Sequence, residues 1–391
     1  VESSRQHDWG ASGIVALTGP PERNVVPRGD AASWAGRAAS ALGHLPGFEH
    51  GLDGAALLGE RAAFTGWTRR GRKSLGGYAR LLPHRGGWAV VSCPRPDDAN
   101  LLGALIGRAV GEDPWTEVAA WLSTRSSPEI VERMDLLGIA GGCVEPQVAQ
   151  PLPIPTDVRS LEGATVVDFS ALWAGPLCAQ LLNTAGAHVI KVETPQRPDG
   201  ARGGNRHFYD LLHGGHESVV LDPSSTTERR WLHRLVDSAD IVIEASRPRA
   251  LQRFGLDAQA HAARGCTWLS ITAYGRSSNR IGFGDDVAAA CGLVGEDVDG
   301  TPVFAGDAIA DPLTGLWAAL CGLDSVNSRG GRLWDISMAH AVSSTLGDSS
   351  CHSVPAQLVP AAAPRHRAVS MSASASGADT REVLRRIGVE P

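Results

Sequence analysis

Two carboxylates stand four residues apart in Gly306-Asp-Ala-Ile-Ala-Asp-Pro-Leu-Thr-Gly315, directly ahead of a run of Leu, Trp and Ala long enough for a helix. A carboxylate held at a helix start among small residues can attack an acyl carbon and carry it as a covalent intermediate. Pro312 suits the first helical position, which makes Asp311 a natural N-cap, so the same pattern also reads as simple capping. Asp307 is the competing acid, and the local sequence does not choose between the two. A basic cluster, Arg69-Arg70-Gly-Arg72-Lys73, reads as a solvated loop rather than a phosphate site. Seven cysteines are scattered singly with no C-x-x-C pair, which fits reduced thiols of a cytoplasmic protein and neither a disulfide framework nor a metal site.

The elements that must position these residues begin with Val166 to Glu193, where a β-branched run, a Leu- and Ala-rich helix and a second β-branched run form a βαβ unit. It lacks a G-x-G-x-x-G pattern, so by itself it makes only a weak claim on a phosphate. The alternation continues with a strand at Ser218 to Asp222, a helix at Ser224 to Ser238, and strands at Ile241 to Glu244 and Thr267 to Thr272. Strands alternating with helices predict an α/β, doubly wound parallel sheet whose ligands sit at the carboxyl ends of the strands. Upstream, helices are expected over Ala31 to Leu45 and Gly54 to Phe64. Paired strands at Tyr78 to Leu82 and Gly87 to Ser92 then precede helices at Asn100 to Val110 and Trp115 to Leu122. The chain accordingly divides into a first segment (1–66), a small α+β domain (67–145), a Pro-rich linker (146–158), a large domain (159–350), and an extended or flexible arm with a closing helix at Asp379 to Ile387 (351–391). The first segment also echoes the aspartate segment at a constant offset, Gly13 lying over Gly292, Gly36 over Gly315 and Gly43 over Gly322, with Ala32 where the second copy has Asp311.

Composition narrows the function. With 391 residues, 43% hydrophobic and 20% charged, the chain has ample core for two domains. A net charge of −6 argues against a general nucleic-acid binder, and no apolar run has the length of a membrane span. No signal peptide is visible, and the chain does not open on Met, which leaves room for residues upstream.

Six motifs in order carry a more specific resemblance. AGP at Ala174 to Pro176 with VIKVE at Val189 to Glu193, SVVLD at Ser218 to Asp222, ADIVIEASRP at Ala239 to Pro248, RFGL at Arg253 to Leu256, SITAYG at Ser270 to Gly275 and ADPLTG at Ala310 to Gly315 resemble the family III CoA-transferases. The resemblance covers about residues 160 to 347, with GADTREVLRRIG similar to the family's closing helix. It implies a Rossmann-like large domain, a smaller domain and an interlocked homodimer that acts on acyl-CoA and carboxylic acid substrates, with no permanently bound cofactor, metal, nucleic acid or membrane partner. It implies that Asp311 passes CoA from a thioester to an acid through an aspartyl anhydride and an aspartyl-CoA thioester. CoA is then expected at Ala174, Gly175, Pro176, Arg202, Arg247 and Arg253, and at His216, which stands where the family usually has Lys and which opens a pH dependence of CoA affinity. Gly-rich backbone near Gly292 and Gly295 is expected to serve the oxyanion.

Two departures from the pattern bear on function. The small-domain-like region precedes the Rossmann-like half, so residues 67–145 are expected to serve the site around Asp311 from an unusual position in the chain. The alternatives are a non-catalytic CoA-binding homologue and an α-methylacyl-CoA racemase of the same superfamily. The racemase needs a His beside the Asp, and Ile281-Gly-Phe-Gly-Asp-Asp286 contains none.

Overall fold

A computed structural model describes residues 2–95, 98–111, 113–147, 149–156, 158–247, 249–325, 331–347 and 361–390. Cys351, Pro248, Asp157 of the linker and the 351–360 part of the arm lie outside them. Strands β1 (Ala79–His84), β2 (Gly87–Ser92) and β3 (Ala140–Cys143) form an antiparallel sheet in that order. Next come β4 (Thr165–Asp168), β5 (His188–Glu193), β6 (Glu217–Val220), β7 (Ile241–Glu244) and β8 (Thr267–Thr272), then a hairpin of β9 (Val294–Glu296) and β10 (Pro302–Phe304), and finally β11 (Leu333–Ser337).

Six of these strands make one parallel sheet in the order β11-β8-β7-β4-β5-β6. Continuous β-branched runs such as IVIE in β7 suit it, because a parallel strand is covered on both faces. The chain runs from β4 out to β6, then crosses back to β7 beside β4. This is the doubly wound order expected from the sequence, with its switch point between β4 and β7.

One face of the sheet is covered by the helix Ala174–Thr184, and against that packs the helix Ala310–Ser325. The second helix is apolar on all sides, as a fully enclosed helix must be. Leu313, Leu316, Leu320 and Leu323 are all wholly buried, each worth about 1.5–3 kcal/mol. Gly315 sets the approach of the two helices, since a Cβ there would stand 2.5 Å from the Ala174 carbonyl oxygen.

Residues 2–66 belong to the same core, with Trp9, Ile14, Trp34 and Leu42 packed into the cluster that holds Leu177 and Leu316. Their helices are Glu2–Ser12, Ile14–Leu17, Ala31–Ser40, Gly54–Leu57 and Glu60–Thr65. The first two were not expected. The expected helix to Leu45 ends at Ser40, and the one at Gly54 to Phe64 is broken around Leu58 and Gly59. Helix Ser127–Leu137, closed by a Ser126/Glu129 capping box, was also not expected.

The three-stranded sheet packs Ala79, Leu81 and Val90 onto Ala289 and Ala290 of the helix Gly284–Ala290. Arg280 bonds Asp135 at 3.1 Å across the same contact. The Pro-rich stretch does not hang free, because Glu145 N–H and Gln147 N–H bond the Ala290 and Cys291 carbonyls, each at 3.1 Å. The terminal arm is pinned as well: Ala362 N–H bonds the Gly10 carbonyl at 2.9 Å, and the helix Thr380–Arg386 buries Val383 and Leu384. No helix of the described residues is long and apolar enough to cross a membrane.

Candidate active site

Asp311 enters the site through a turn of unusual backbone. Ala308 has φ 45, a left-handed conformation uncommon for a residue with a β-carbon. The chain therefore swings into the helix early, and Ala310 is its first residue. Asp311 lies within the first turn, its N–H on the Ala308 carbonyl at 2.9 Å, and not at the N-cap position that Pro312 suggested. Its carboxylate lies directly against Gly284. A Cβ on Gly284 would stand 2.2 Å from Oδ2 of Asp311 and 2.4 Å from the Ala308 carbonyl oxygen, so only glycine fits that wall.

Three acids gather here. Asp307, wholly buried, accepts two parallel bonds from Arg61, Nε to Oδ2 at 2.8 Å and Nη2 to Oδ1 at 2.6 Å. Geometry distinguishes the two acids: Asp307 is occupied in a two-pronged ion pair, and Asp311 makes no ion pair among the described residues. Asp285 accepts the Ala308 N–H at 2.8 Å. Burial, then the neighbouring Asp307, pushes the Asp285 carboxyl up to about 6 despite the opposing charge of Arg61. Asp311, partly open to solvent by surface but deep among packed atoms, is pushed up to about 7; burial raises it most, Arg61 opposes, and Asp285 and Asp307 add to the rise. It is thus an acid divided between its two protonation states near neutrality.

Arg61 is held by aromatic faces, its guanidinium 4.9 Å from the Trp173 ring and 5.6 Å from that of Trp67. Trp173 is turned inward by the tight exit from β4, where Leu172 has φ 71 and its N–H bonds Asp199 at 3.1 Å. The expected oxyanion glycines lie elsewhere. Gly292 N–H closes on the Ala289 carbonyl at 3.0 Å, and Gly295 pairs with Val303 in the hairpin. Gly282 and Gly284 are the glycines that border Asp311 and its approach.

That approach is a cavity of about 440 Å³ at the carboxyl ends of β7 and β8. Arg95, Arg197, Arg247, Arg249, Arg253 and Arg280 line it, and no carboxylate does among the described residues. Its lining continues through Gly282 and Phe283, one residue from the Gly284 that Asp311 lies against. Such a pocket favours a polyanion with a neutral end.

The CoA residues expected from the sequence separate into two groups. Arg247 and Arg253 line the cavity. The other five stand behind it. Ala174, Gly175 and Pro176 are buried where the two helices meet, with Gly175 pressed on Ser170. Arg202 is held by Glu193, Nε lying 3.0 Å from each carboxylate oxygen. His216 is buried, and neither ring nitrogen has a hydrogen-bond partner among the described residues. Burial, reinforced by the charge of Lys191, pushes its imidazole down to about 3, so it stays neutral where a pH-dependent CoA contact would need it to titrate.

Sequence reasoning missed Arg61, Asp285 and Gly284. The signals were present but faint: a charged pair, Glu60-Arg61, inside an Ala-rich helix, and Gly282-Phe-Gly284 directly before two acids. Arg95, Arg197, Arg249 and Arg280 were missed too, each being an ordinary surface arginine when read locally.

Comparison with known proteins bears on the same stretch. The pattern of CoA-transferase family III matches residues 161–379. Succinyl-CoA–D-citramalate CoA-transferase of Chloroflexus aurantiacus is 31% identical over 185 residues, covering 44% of this chain and 46% of that protein. Succinate–glutarate CoA-transferase of Agrobacterium fabrum is 29% identical over 186 residues, covering 42% and 46%. A CAIB/BAIF family protein from Brucella suis aligns with TM-score 0.46 and 27% identity over 49% of this chain and 56% of that one. The chain spans about half the length of the curated relatives it matches.

Proposed function

The chain belongs to CoA-transferase family III, and from that membership we propose that it transfers CoA from an acyl-CoA thioester to a carboxylic acid, with Asp311 as the nucleophile. The observation that carries the proposal is the position of Asp311: its carboxylate lies against Gly284, one residue beyond the arginine-lined cavity, while Asp307 is occupied by Arg61.

In the proposed sequence a carboxylate oxygen of Asp311 attacks the thioester carbon and the C–S bond breaks, giving an acyl-aspartyl anhydride and CoA thiolate. The thiolate attacks the aspartyl carbonyl, releasing the donor acid and leaving an aspartyl-CoA thioester. The acceptor carboxylate then attacks that carbon, and the expelled thiolate returns to the acceptor's acyl carbon and frees Asp311. Every step exchanges one anionic oxygen or sulfur for another, so the site needs an ionised acid and N–H donors at the developing oxyanion. CoA phosphates are assigned to Arg247 and Arg253, joined by Arg95 and Arg249.

The test uses succinyl-CoA with D-citramalate or glutarate as a first panel, following the substrates named for the two relatives. Label exchange into the acceptor, a hydroxylamine-trapped adduct on Asp311, and loss of both in Asp311→Ala are the expected results. CoA binding with neither adduct nor exchange for any donor would favour a non-catalytic homologue. Loss of α-deuterium from a 2-methylacyl-CoA without an acceptor would indicate a racemase, with Asp285 as the second acid beside Asp311.

The division of the chain fits the same reading. Residues 67–145 stand as a small domain for this site, supported by the packing of their sheet on the helix that carries Asp285. Residues 1–66 stand as a degenerate copy of the aspartate region, supported by matched backbone at the one offset. Gly13 and Gly292 have φ 88 and 92, Gly29 and Ala308 have φ 75 and 45, and the two helices start at Ala31 and Ala310. The working unit is proposed as a cytoplasmic homodimer on the family pattern, to be checked by light scattering and cell fractionation.

A further inference from the structure

Arg61 lies on the helix Glu60–Thr65, outside residues 161–379 that match the family. Its guanidinium nevertheless closes on Asp307 at 2.8 and 2.6 Å, in the turn four residues before Asp311. The pair is well built. Asp307 is wholly enclosed, the side chain of Arg61 is only 25% exposed, and Trp173 supports the guanidinium from one face.

The charged groups around Asp311 come from several elements. The turn before its helix brings Asp307. The helix Gly284–Ala290 brings Asp285, and also Asp286, which is buried and accepts the Phe283 N–H at 3.1 Å. The helix Glu60–Thr65 brings Arg61. On Ala174–Thr184 the titratable group is the buried Cys178 thiol. On Ala31–Ser40, Arg37 turns outward toward Asp30 at 3.6 Å. On Met338–Ser343, His340 meets Trp317 edge to face, further along the helix. On β11, Asp335 receives the Arg276 N–H at 3.0 Å. Three acids, Asp285, Asp286 and Asp307, therefore neighbour Asp311, with Arg61 the cation paired among them, while Glu60 of its helix is engaged with Arg367.

We propose that Arg61 is a positioning residue for the transfer reaction: it closes Asp307 into an ion pair, and its charge keeps Asp311 ionised for attack. The inference rests on the reading of Asp311 as nucleophile, and it assigns to the N-terminal segment an electrostatic part in a site otherwise built from the family-matched half. Without Arg61, Asp307 and Asp285 would act on Asp311 as uncompensated like charges in a buried setting. With both Arg61 and Asp307 neutralised together, the local charge would be that of the wild type.

The test is pH-difference infrared spectroscopy on the resting full-length protein, with Asp311→Asn identifying the Asp311 carboxyl band. Arg61→Met should shift the Asp311 titration to higher pH by at least a factor of ten in proton affinity. Arg61→Met with Asp307→Asn should return it to within about threefold of the wild type. Arg61→Lys, which keeps the charge and loses the fork, should fall between them, and it carries the comparison if Arg61→Met does not fold. An unshifted titration in a folded Arg61→Met or Arg61→Lys protein would overturn the proposal, as would a double variant shifted as far as the single one. The titration needs no turnover. A wild type that titrates as described but exchanges no CoA therefore removes the transferase reading, and with it the positioning role.

Discussion

Gly284 and Asp311 touch so closely that a Cβ on the glycine would stand 2.2 Å from the acid's Oδ2. The contact joins the start of one helix to the first turn of another and fixes where the carboxylate can point. Gly284→Ala should therefore displace Asp311 and lower kcat/KM for CoA transfer at least about 100-fold, since sub-ångström errors in a nucleophile's position are costly. CoA affinity, read by calorimetry, should change less than about threefold because the arginine cavity is untouched.

The acid's protonation predicts opposite pH trends for activity and stability. Only the carboxylate attacks, so transfer should rise through a pH of about 7 and level off above it. For stability, the folded acid titrates near 7 and the unfolded one near 3.8, so the native state binds more protons between these values and loses stability as pH rises through them. Asp311→Asn should remove that loss and be more stable than the wild type by about 1–3 kcal/mol at pH 8, with a smaller gain at pH 5. Chemical denaturation at the two pH values measures it.

Arg247 and Arg253 are exposed and line the cavity, so their contribution to CoA binding should be electrostatic. Arg247→Ala and Arg253→Ala should each weaken CoA by about tenfold, equivalent to about 1.4 kcal/mol. The deficit should shrink as salt is raised. Calorimetry in a salt series checks both points, and Arg202→Ala should instead appear as lost thermal stability, because its partner is the buried Glu193.

The buried histidines predict acid sensitivity rather than a ligand effect. His216 is pushed down to about 3 and His213 well below its ordinary value, in both cases chiefly by burial. The unfolded chain therefore takes up protons near pH 6.5 that the folded one refuses, and stability is lost as pH falls below that value. His216→Phe should flatten the fall by up to about 1.4 kcal/mol per pH unit, as seen in denaturation midpoints between pH 6 and 4, with CoA affinity unchanged.

Much of this molecule was legible one stretch at a time. β-branched runs closed by polar residues gave β4, β5, β7 and β8, because a strand covered on both faces must be apolar throughout. The acid before an all-apolar helix singled out Asp311 and left Asp307 as its rival. Local reading failed where neighbours in space are distant in sequence. Arg61 sits 246 residues before Asp307, and nothing in its own helix announces that partner. The same holds for the arginines, which come from separate loops and converge only at the carboxyl ends of β7 and β8. Ala174 to Pro176 shows the opposite error: small residues suit a ligand's approach and a helix's approach equally well, and here the neighbour is the helix Ala310–Ser325. Composition and periodicity determined most of the strands of the parallel sheet and which acid stands at a helix start, since those depend on near neighbours. Which acid is paired, which is left without an ion pair and what surrounds it depended on chain closure over hundreds of residues, and only the packed core decided that.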